Sequence, residues 1–299
     1  MKEINACIVF ISSRKKCIKH SLLSLWENYN YKHDYPVYVH YFDDVYDEQS
    51  FQEEVENSCP QNVIFRSIPY NTPKFISEDQ LYYNRKDLWY VNSSFPKSRK
   101  GYLHMCNFTS NMYGYDGTEL ENYDYIMTHD DESGYDQEMT TDPFLELSNT
   151  DCSMGAFFVG QRLKNGSPHQ GHFDTRVGLW EFTRNFLIDN SITPKSSALE
   201  DLISDKESNI NFHLLQWCDT YVIKTEIFKS DLWKKWITAV NEAGGIYKYR
   251  WGDNEIVSLF CHIVQSEIYD FDLVKSGIHN QGKFRRLQDI APSVKDLSR

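Results

Sequence analysis

Short apolar runs rich in β-branched and aromatic residues alternate with helical stripes along the chain, and this alternation limits the fold most strongly. In one interval, Ile18, Leu22, Leu25 and Trp26 recur at the spacing of a single helix face. Runs of strand length occur at residues 7–11, 37–42, 63–68, 123–128, 155–159 and 268–271. This order of strand, helix and strand predicts an α/β fold with a mostly parallel central sheet.

Two further helices are predicted in the C-terminal half of the chain. The apolar stripe of the first is Phe228, Leu232, Trp233, Trp236, Ile237 and Val240. We expect Gly244-Gly245 to end this helix. The stripe of the second is Ile256, Leu259, Phe260 and Ile263. Residues 69–100 and 165–175 predict long loops and do not resemble domain linkers, so residues 1–299 are interpreted as a single domain with elaborated loops.

Charge and composition exclude several classes of protein. The chain has 31 Lys and Arg against 43 Asp and Glu, a formal net charge of −12, whereas a nucleic-acid surface needs a basic stripe. No apolar run approaches the ~20 residues of a membrane helix, and residues 6–11 are too short for a signal-peptide core. The seven cysteines are dispersed without a CxxC pair, which favours reduced thiols. A cytoplasmic protein is expected, although a chain whose membrane anchor had been removed would look the same.

Three consecutive carboxylates follow one of the predicted strands. The run at residues 123–128 leads into Asp130, Asp131 and Glu132. Ligands of open α/β sheets bind beyond the carboxyl ends of the strands, and clustered carboxylates repel one another unless a cation or a proton intervenes. A divalent ion shared with a diphosphate would satisfy this requirement. A solvated acidic turn explains the same pattern, so both interpretations stay open.

A second polar cluster precedes the last predicted helix. Arg250, Trp251 and two acids, Asp253 and Glu255, surround a glycine. This suits a sugar site because Trp stacks on pyranose faces and carboxylates bind hydroxyls. The alternative is a buried Trp251 with Asp253 as the helix N-cap. The basic turn at residues 12–16 would suit a phosphate, although solvated basic residues at a helix start explain it without a ligand.

Five segments, in this order, resemble the fungal Golgi α-1,2-mannosyltransferases of the KRE/KTR type. Arg14 follows the first strand, and the segment Tyr-Leu-His-Met-Cys-Asn-Phe-Thr-Ser at 102–110 is similar to the family's Tyr-x-x-Met-Cys-Arg-Phe-x-Ser. Residues 123–144 follow the family's order of Tyr-Asp, apolar strand, Glu-Pro-Asp and Asp-Pro-Phe. Residues 243–253 contain its Ala-Gly-Gly and Arg-Trp-Gly-Asp, and His279 lies where the family has Gly-Tyr-x-His.

The resemblance implies a GT-A-like (Rossmann-like) glycosyltransferase. The implied reaction moves mannose from GDP-mannose to a hydroxyl of a glycan acceptor, with retention of configuration and with Mn²⁺ or Mg²⁺ as cofactor. The implied metal and diphosphate ligands are Asp130, Asp131, Glu132 and His279. The implied contacts to the nucleotide or the sugar are Arg14, Tyr102, Arg250, Trp251 and Asp253.

Two departures from the family pattern limit these implications. The acidic triplet lacks the family's Pro, and the family's nucleophilic Glu falls on Tyr221, with Asp219 as the nearest acid. A covalent glycosyl intermediate is therefore not implied, whereas same-face attack, with the departing diphosphate taking the acceptor proton, needs no such carboxylate. The catalytic candidates are Asp219, Tyr221 and Asp253. Two alternatives stay open, a non-catalytic glycan- or nucleotide-binding descendant and a metal-dependent nucleotide-sugar hydrolase.

Overall fold

The computed structural model describes residues 4–12, 15–42, 49–60, 62–70, 72–85, 100–112, 119–135, 137–157, 177–197, 199–200, 220–265, 267–271 and 278–279. Its strands are β1 (Ala6–Ser12), β2 (Val37–Phe42), β3 (Val63–Ile68), β4 (Tyr125–Asp130), β5 (Gly134–Tyr135), β6 (Met154–Ala156), β7 (Thr220–Lys224), β8 (Tyr269–Asp270) and β9 (Ile278–His279). Its α-helices are α1 (Lys15–Asn28), α2 (Gln49–Ser58), α3 (Lys100–Asn111), α4 (Pro143–Ser148), α5 (Leu179–Asp189), α6 (Asp231–Ala243), α7 (Gly245–Tyr249) and α8 (Asp253–Val264).

The strands form one large sheet and one small one. In the described part of the chain the large sheet has seven strands in the order β3-β2-β1-β4-β7-β6-β8. Strands β3, β2, β1 and β4 are parallel, β7 is antiparallel to both of its neighbours, and β6 is parallel to β8. The prediction of an α/β fold with a mostly parallel sheet is confirmed. The four parallel strands have their carboxyl ends at one edge, called the carboxyl edge below.

Several element boundaries differ from those predicted. Strand β4 extends two residues further than the apolar run, to Asp130, because its last residues pair with β1 rather than with solvent. Strand β7 was not predicted at all, since its five residues end in Lys224 and show little alternation. It is nevertheless buried, because it lies between β4 and β6. The predicted loop at residues 165–175 lies outside the described residues.

Particular residues fix the two ends of α6. Ser230 caps α6 by accepting a hydrogen bond from the backbone N–H of Trp233 at 3.1 Å. Gly244 ends the same helix in the left-handed region, with φ of 68°, as the Gly-Gly pair predicted. The apolar stripe predicts Phe228 in this helix, but it lies in the short 3-10 turn that precedes the helix.

The loop predicted at residues 69–100 contains local structure of its own. Two 3-10 turns, Glu78–Gln80 and Tyr82–Asn84, lie in its described part. Its Arg85 lies over the ring of Tyr249 at 4.8 Å, so this loop packs against α7. Among the helices of the described residues, none combines the length and the apolar character that crossing a membrane requires.

Candidate active site

The acidic triplet lies at the carboxyl edge, where β4 leaves the sheet. Ile11 of β1 is paired with Asp130, so the two side chains point to the same face of the sheet. His40 of β2 is paired with Ile11, so its side chain points to this face as well. The His40 ring contacts Phe108 of α3, so α3 packs on this face. Asp130 therefore projects toward the α3 side and is only partly buried.

Asp131 points the other way and is held by two serines. It is fully buried, and the hydroxyl of Ser12 donates to its Oδ2 at 2.8 Å. The hydroxyl of Ser21, on α1, donates to its backbone oxygen, also at 2.8 Å. These bonds fix the turn between β4 and β5. Ser21 is a positioning residue that the sequence did not reveal, because it looks like an ordinary polar residue inside a helical stripe.

The small sheet brings a distant segment to this turn. Gly134 of β5 pairs with His279 of β9, and Tyr135 pairs with Ile278. The backbone of His279 thus lies beside the strand that begins two residues after Glu132. The turn and the C-terminal histidine, predicted from separate motifs, are brought together by these two residue pairs.

The direction of α3 places Tyr102 at the carboxyl edge. Within β2, which runs toward that edge, His40 contacts Phe108 at 4.9 Å between ring centroids. Phe42, the last residue of β2, contacts His104 at 6.1 Å. Since earlier residues of α3 face later residues of β2, the helix runs antiparallel to the strand. Tyr102 therefore lies beyond the strand end.

The direction of α8 places its first residues at the same edge. Just after the end of α8, Gln265 accepts a hydrogen bond from the backbone N–H of Ser153 at 2.5 Å. The carbonyl of Ser153 accepts from Lys224, and Lys224 is paired with Tyr125, where β4 begins. The C-terminal end of α8 is thus at the amino edge of the sheet. Asp253, the first residue of α8, lies toward the carboxyl edge.

A buried polar cluster joins α3 to α8. The Arg250 guanidinium lies over the ring of Tyr102, 4.2 Å from its centroid. Asp253 is buried, and the nearby Cys106 thiol favours the charged form of its carboxyl and so acts to lower its pKa. Burial, and then the charge of Glu255, raise the pKa of Asp253 to about 7. Glu255, the second acid that the sequence places in this cluster, lies beside Asp253. Cys106 also belongs to the cluster but was not predicted as a site residue, since a single thiol in a helix does not mark a site in the sequence.

The structure corrects one interpretation of the Arg-Trp-Gly-Asp segment. Gly252 is the N-cap of α8, and Asp253 is the first helical residue rather than the cap. Trp251 is 3% exposed; its indole N–H donates to the carbonyl of Val177 at 2.8 Å, and its ring contacts Phe182. The ring therefore offers no open face to a sugar, and the buried interpretation of Trp251 is the one that fits.

Comparison with known proteins gives the family. The family model of glycolipid 2-alpha-mannosyltransferases matches residues 1–271. The chain belongs to this family. Among curated relatives, the O-glycoside alpha-1,2-mannosyltransferase omh1 of Schizosaccharomyces pombe is 22% identical over 272 residues, covering 87% of this chain and 66% of that protein. The probable mannosyltransferase YUR1 of Saccharomyces cerevisiae is 24% identical over 270 residues, covering 84% and 60%. The chain thus spans about 60 to 66% of the length of these relatives.

Solved structures of similar proteins share the fold. The core-mannan synthase A (CmsA/Ktr4) of Aspergillus fumigatus, in its Mn/GDP form, superposes with a TM-score of 0.74 at 15% identity, covering 93% of this chain and 75% of that one. The mannosyltransferase Ktr4p of Saccharomyces cerevisiae, in complex with GDP, also gives a TM-score of 0.74, at 20% identity, with coverage of 93% and 71%. The GT-A-like fold expected from the family motifs is confirmed.

Of the remaining residues predicted from the family pattern, one lies within the described part of the chain. Tyr221, at the position of the family's Glu, is paired with Thr128 in the sheet and is 1% exposed, inside the hydrophobic core. Arg14 and Asp219 lie outside the described residues. The structure therefore brings Asp130, Glu132 and the backbone of His279 together at the carboxyl edge that Tyr102 and Asp253 also occupy.

The oxygen-rich turn fits a hard divalent cation in its donor chemistry. Mn²⁺ and Mg²⁺ take carboxylate oxygens, and Mn²⁺ also takes imidazole. Asp131 is turned away and bonded to Ser12, whereas Asp130 and Glu132 flank it in the same turn, beside the strand that pairs with His279. Asp130 and Glu132 are therefore the candidate carboxylate ligands of such an ion. In the part of the chain that the structure describes, no group of three or more His, Cys, Asp or Glu side chains is arranged as a metal site.

Proposed function

We propose that this chain is a metal-dependent mannosyltransferase that moves mannose from GDP-mannose to a hydroxyl of a glycan, with retention of configuration. Membership of the glycolipid 2-alpha-mannosyltransferase family supports the reaction class. The Mn/GDP and GDP forms of the two structural neighbours support the metal and the base. Mannose as the donor sugar is supported by the names of the relatives.

One structural observation carries the proposal for this chain. The turn at residues 130–132, the β9 strand with His279, and the first residues of α3 and α8 all lie at the carboxyl edge of the parallel strands. In open α/β sheets this edge is where ligands bind. Groups from four separate parts of the chain would thus surround one ligand.

Asp130, Glu132 and His279 are the residues that would hold the cation. When bound, a divalent cation would neutralise the negative charge that develops on the diphosphate as it leaves. Asp131 would act indirectly, because its bond from Ser12 and the bond from Ser21 to its backbone hold the turn in place.

Arg250 and Tyr102 would contact the donor, and Asp253 would hold a proton. The guanidinium of Arg250 is kept in place by the Tyr102 ring and supplies positive charge near a diphosphate. With a pKa of about 7, the Asp253 carboxyl exists in both protonation states at neutral pH. It can therefore accept a hydrogen bond from a sugar hydroxyl or donate one to it. Tyr221 has no part in this scheme because it is buried. Asp219 remains the candidate for a stand-in nucleophile.

The first test is nucleotide binding measured by thermal unfolding, followed by turnover. We expect GDP and GDP-mannose to raise the unfolding midpoint in Mn²⁺ and not in EDTA, because a ligand that binds only the native state stabilises it. In the Asp130→Ala, Glu132→Ala double variant the Mn²⁺-dependent part of the shift should disappear. Turnover of GDP-mannose should then depend on an added mannoside acceptor.

The matched control removes the same charge from the surface. Glu53→Ala with Glu54→Ala on α2 changes two exposed carboxylates and should leave the nucleotide shift unchanged. Equal shifts for the Asp130/Glu132 double variant and the wild type would refute the site. Release of mannose without an acceptor would favour the hydrolase alternative, and binding without turnover would favour the non-catalytic one.

The proposal includes a reducing, cytosolic location. The cysteines at positions 7, 17, 59, 106, 152 and 261 are buried and take no part in a disulfide, which is the state that a reducing compartment maintains. Cell fractionation with a compartment marker tests this directly, and recovery in the Golgi fraction would overturn it.

A further inference from the structure

Tyr70 is an exposed aromatic residue beside the proposed active site. It follows β3 by two residues, so it lies at the carboxyl edge, and its side chain is 41% exposed. Among the large aromatic residues that the structure describes as exposed, Tyr31 and Phe75 are the others. Tyr31 precedes β2 and therefore lies at the opposite edge of the sheet. Single exposed rings are common, so the surroundings of Tyr70 decide whether it has a role.

The Tyr70 ring is held in one orientation by buried neighbours. It stacks on Phe42, 4.7 Å between centroids and 10° between planes, and Phe42 is 2% exposed. An edge-to-face contact with His104 on α3, at 4.9 Å, fixes it from a second side. One face of the ring is covered and the ring cannot turn freely, so its exposed surface is a fixed, flat platform.

The segment that carries Tyr70 is anchored as well. Phe75 lies over the end of α6, where one of its ring carbons is 3.1 Å from the place that a Cβ would take at Gly244. Arg85, at the end of the described segment, lies over Tyr249 of α7. The segment that follows Tyr70 is thus held at Phe75 and at Arg85 against helices that lead to Arg250. Such preorganisation lowers the entropy cost of binding a ligand.

Tyr70 adjoins the residues proposed to contact the donor. Its hydroxyl lies 4.0 Å from the place that a Cβ would take at Gly101, which directly precedes Tyr102. His104, which contacts the Tyr70 ring, also contacts Tyr247 of α7, close to Arg250. The exposed platform is therefore continuous with the polar cluster rather than an isolated surface residue.

We infer that Tyr70 is an acceptor subsite, whose exposed ring stacks on a pyranose of the acceptor glycan next to the donor site. This inference rests on the proposed function. A flat ring with a polar hydroxyl matches a hexopyranose, which offers a C–H face together with hydroxyls. Since Tyr70 is separate from the acidic turn, it binds the acceptor and leaves nucleotide binding unaffected.

The test compares acceptor binding with nucleotide binding in the full chain. Saturation-transfer NMR with methyl α-mannoside is recorded in the presence of GDP and Mn²⁺ for the wild type, Tyr70→Leu and Tyr70→Phe. Tyr70→Leu keeps apolar volume over Phe42 but has no flat face, so the mannoside Kd is expected to rise about tenfold. Tyr70→Phe keeps the ring and should bind within about threefold of the wild type. The GDP-dependent shift of the unfolding midpoint should be the same in all three.

Tyr31→Leu is the matched control, because Tyr31 is 46% exposed but lies at the opposite edge. It should leave mannoside binding unchanged. Equal mannoside affinity for the wild type and Tyr70→Leu would overturn the inference, and so would a wild type that binds GDP but shows no saturation transfer to the mannoside. A wild type that binds no nucleotide would instead refute the proposed function, so the two failures are distinguishable.

Discussion

Two aspartates at equivalent helix positions show how packing changes the chemistry of one residue type. Asp231 is the first residue of α6 and is exposed, whereas Asp253 is the first residue of α8 and is buried beside Cys106 and Glu255. Burial raises the pKa of Asp253 to about 7, even though the Cys106 thiol and two backbone N–H groups favour its charged form. At neutral pH this one carboxyl is therefore poised between two protonation states.

The raised pKa of Asp253 predicts a pH dependence of stability. The unfolded carboxyl loses its proton near pH 4 and the folded one near pH 7, so between these values the native state binds more protons. The free energy of unfolding should therefore fall as pH rises from 4 to 7, by about 1.4 kcal/mol per pH unit from this residue, and then stay at the lower level.

Asp253→Asn should reduce this slope, because an amide does not titrate. Urea unfolding at a series of pH values measures the effect. Between pH 4 and pH 7 the difference in free energy of unfolding between the variant and the wild type should shift in favour of the variant. Asp231→Asn, the matched change at the first residue of α6, should leave the slope unaltered. Parallel curves for the wild type and Asp253→Asn would show that Asp253 is not the titrating group.

The sequence identified the acidic residues of the candidate site but not their separate roles. It named Asp130, Asp131 and Glu132 together, yet the opposite orientations of Asp130 and Asp131 follow from pairing with β1, which lies far away in the chain. For the same reason Trp251 could be read either as a sugar platform or as a core residue. The burial of Trp251 and its contacts with Val177 and Phe182, which lie far away in the chain, decide between the two.

The end of α6 is an element whose sequence signal and structure agree. Gly244 adopts φ of 68°, and the place of its missing Cβ is 2.9 Å from Ile76 and 3.1 Å from Phe75. The glycine is thus required for two reasons, a left-handed backbone and a close approach of the segment that carries Tyr70. Gly178, at φ of 73°, has the same backbone requirement, but nothing described lies within 4 Å of its Cβ place.

These two glycines predict a graded loss of stability. Gly178→Ala should destabilise by about 1 kcal/mol, which is the cost of a left-handed backbone alone. Gly244→Ala should cost about 2 kcal/mol or more, because Ile76 and Phe75 must also move. Urea unfolding measures both differences. If the two variants lost the same stability, the packing of this segment on α6 would contribute nothing.

Element prediction succeeded where periodicity is strong and failed where tertiary contacts decide. The helices α1, α6 and α8 follow from apolar stripes, because each buries one face. Strand β7 escaped prediction because only its neighbours β4 and β6 make its five residues a central strand. The direction in which α3 and α8 cross the sheet, which places Tyr102 and Asp253, has no sequence signal at all.

The whole molecule assembles its candidate site from distant segments. The parallel strands bring the ends of β1, β2, β3 and β4 to one edge, and two helices begin there. The family motifs were recognised as separate blocks, and the sheet topology explains how blocks so far apart serve one site. The last of these blocks reaches the site through the pairing of β5 with β9.

A variant of His279 tests whether β9 contributes to the proposed metal site. His279→Ala should weaken the Mn²⁺ dependence of GDP binding by roughly tenfold or more, because an imidazole ligand would be lost. The unfolding midpoint without metal should stay within a few degrees of the wild type, since a single pair of short strands contributes little. Titration calorimetry of GDP at several Mn²⁺ concentrations measures the first effect. An unchanged Mn²⁺ dependence would remove His279 from the site.

The pairing of Gly134 with His279 also sets the order in which a ribosome can complete the site. Residues 130–135 leave the ribosome well before β9 does, because β9 follows them much later in the chain. Until then the acidic turn has no partner strand, and the nascent chain holds the sheet but not the finished ligand cradle. Donor binding is thereby postponed until β9 has been made, and a chain cut short before β9 would fold most of its core and still lack that cradle.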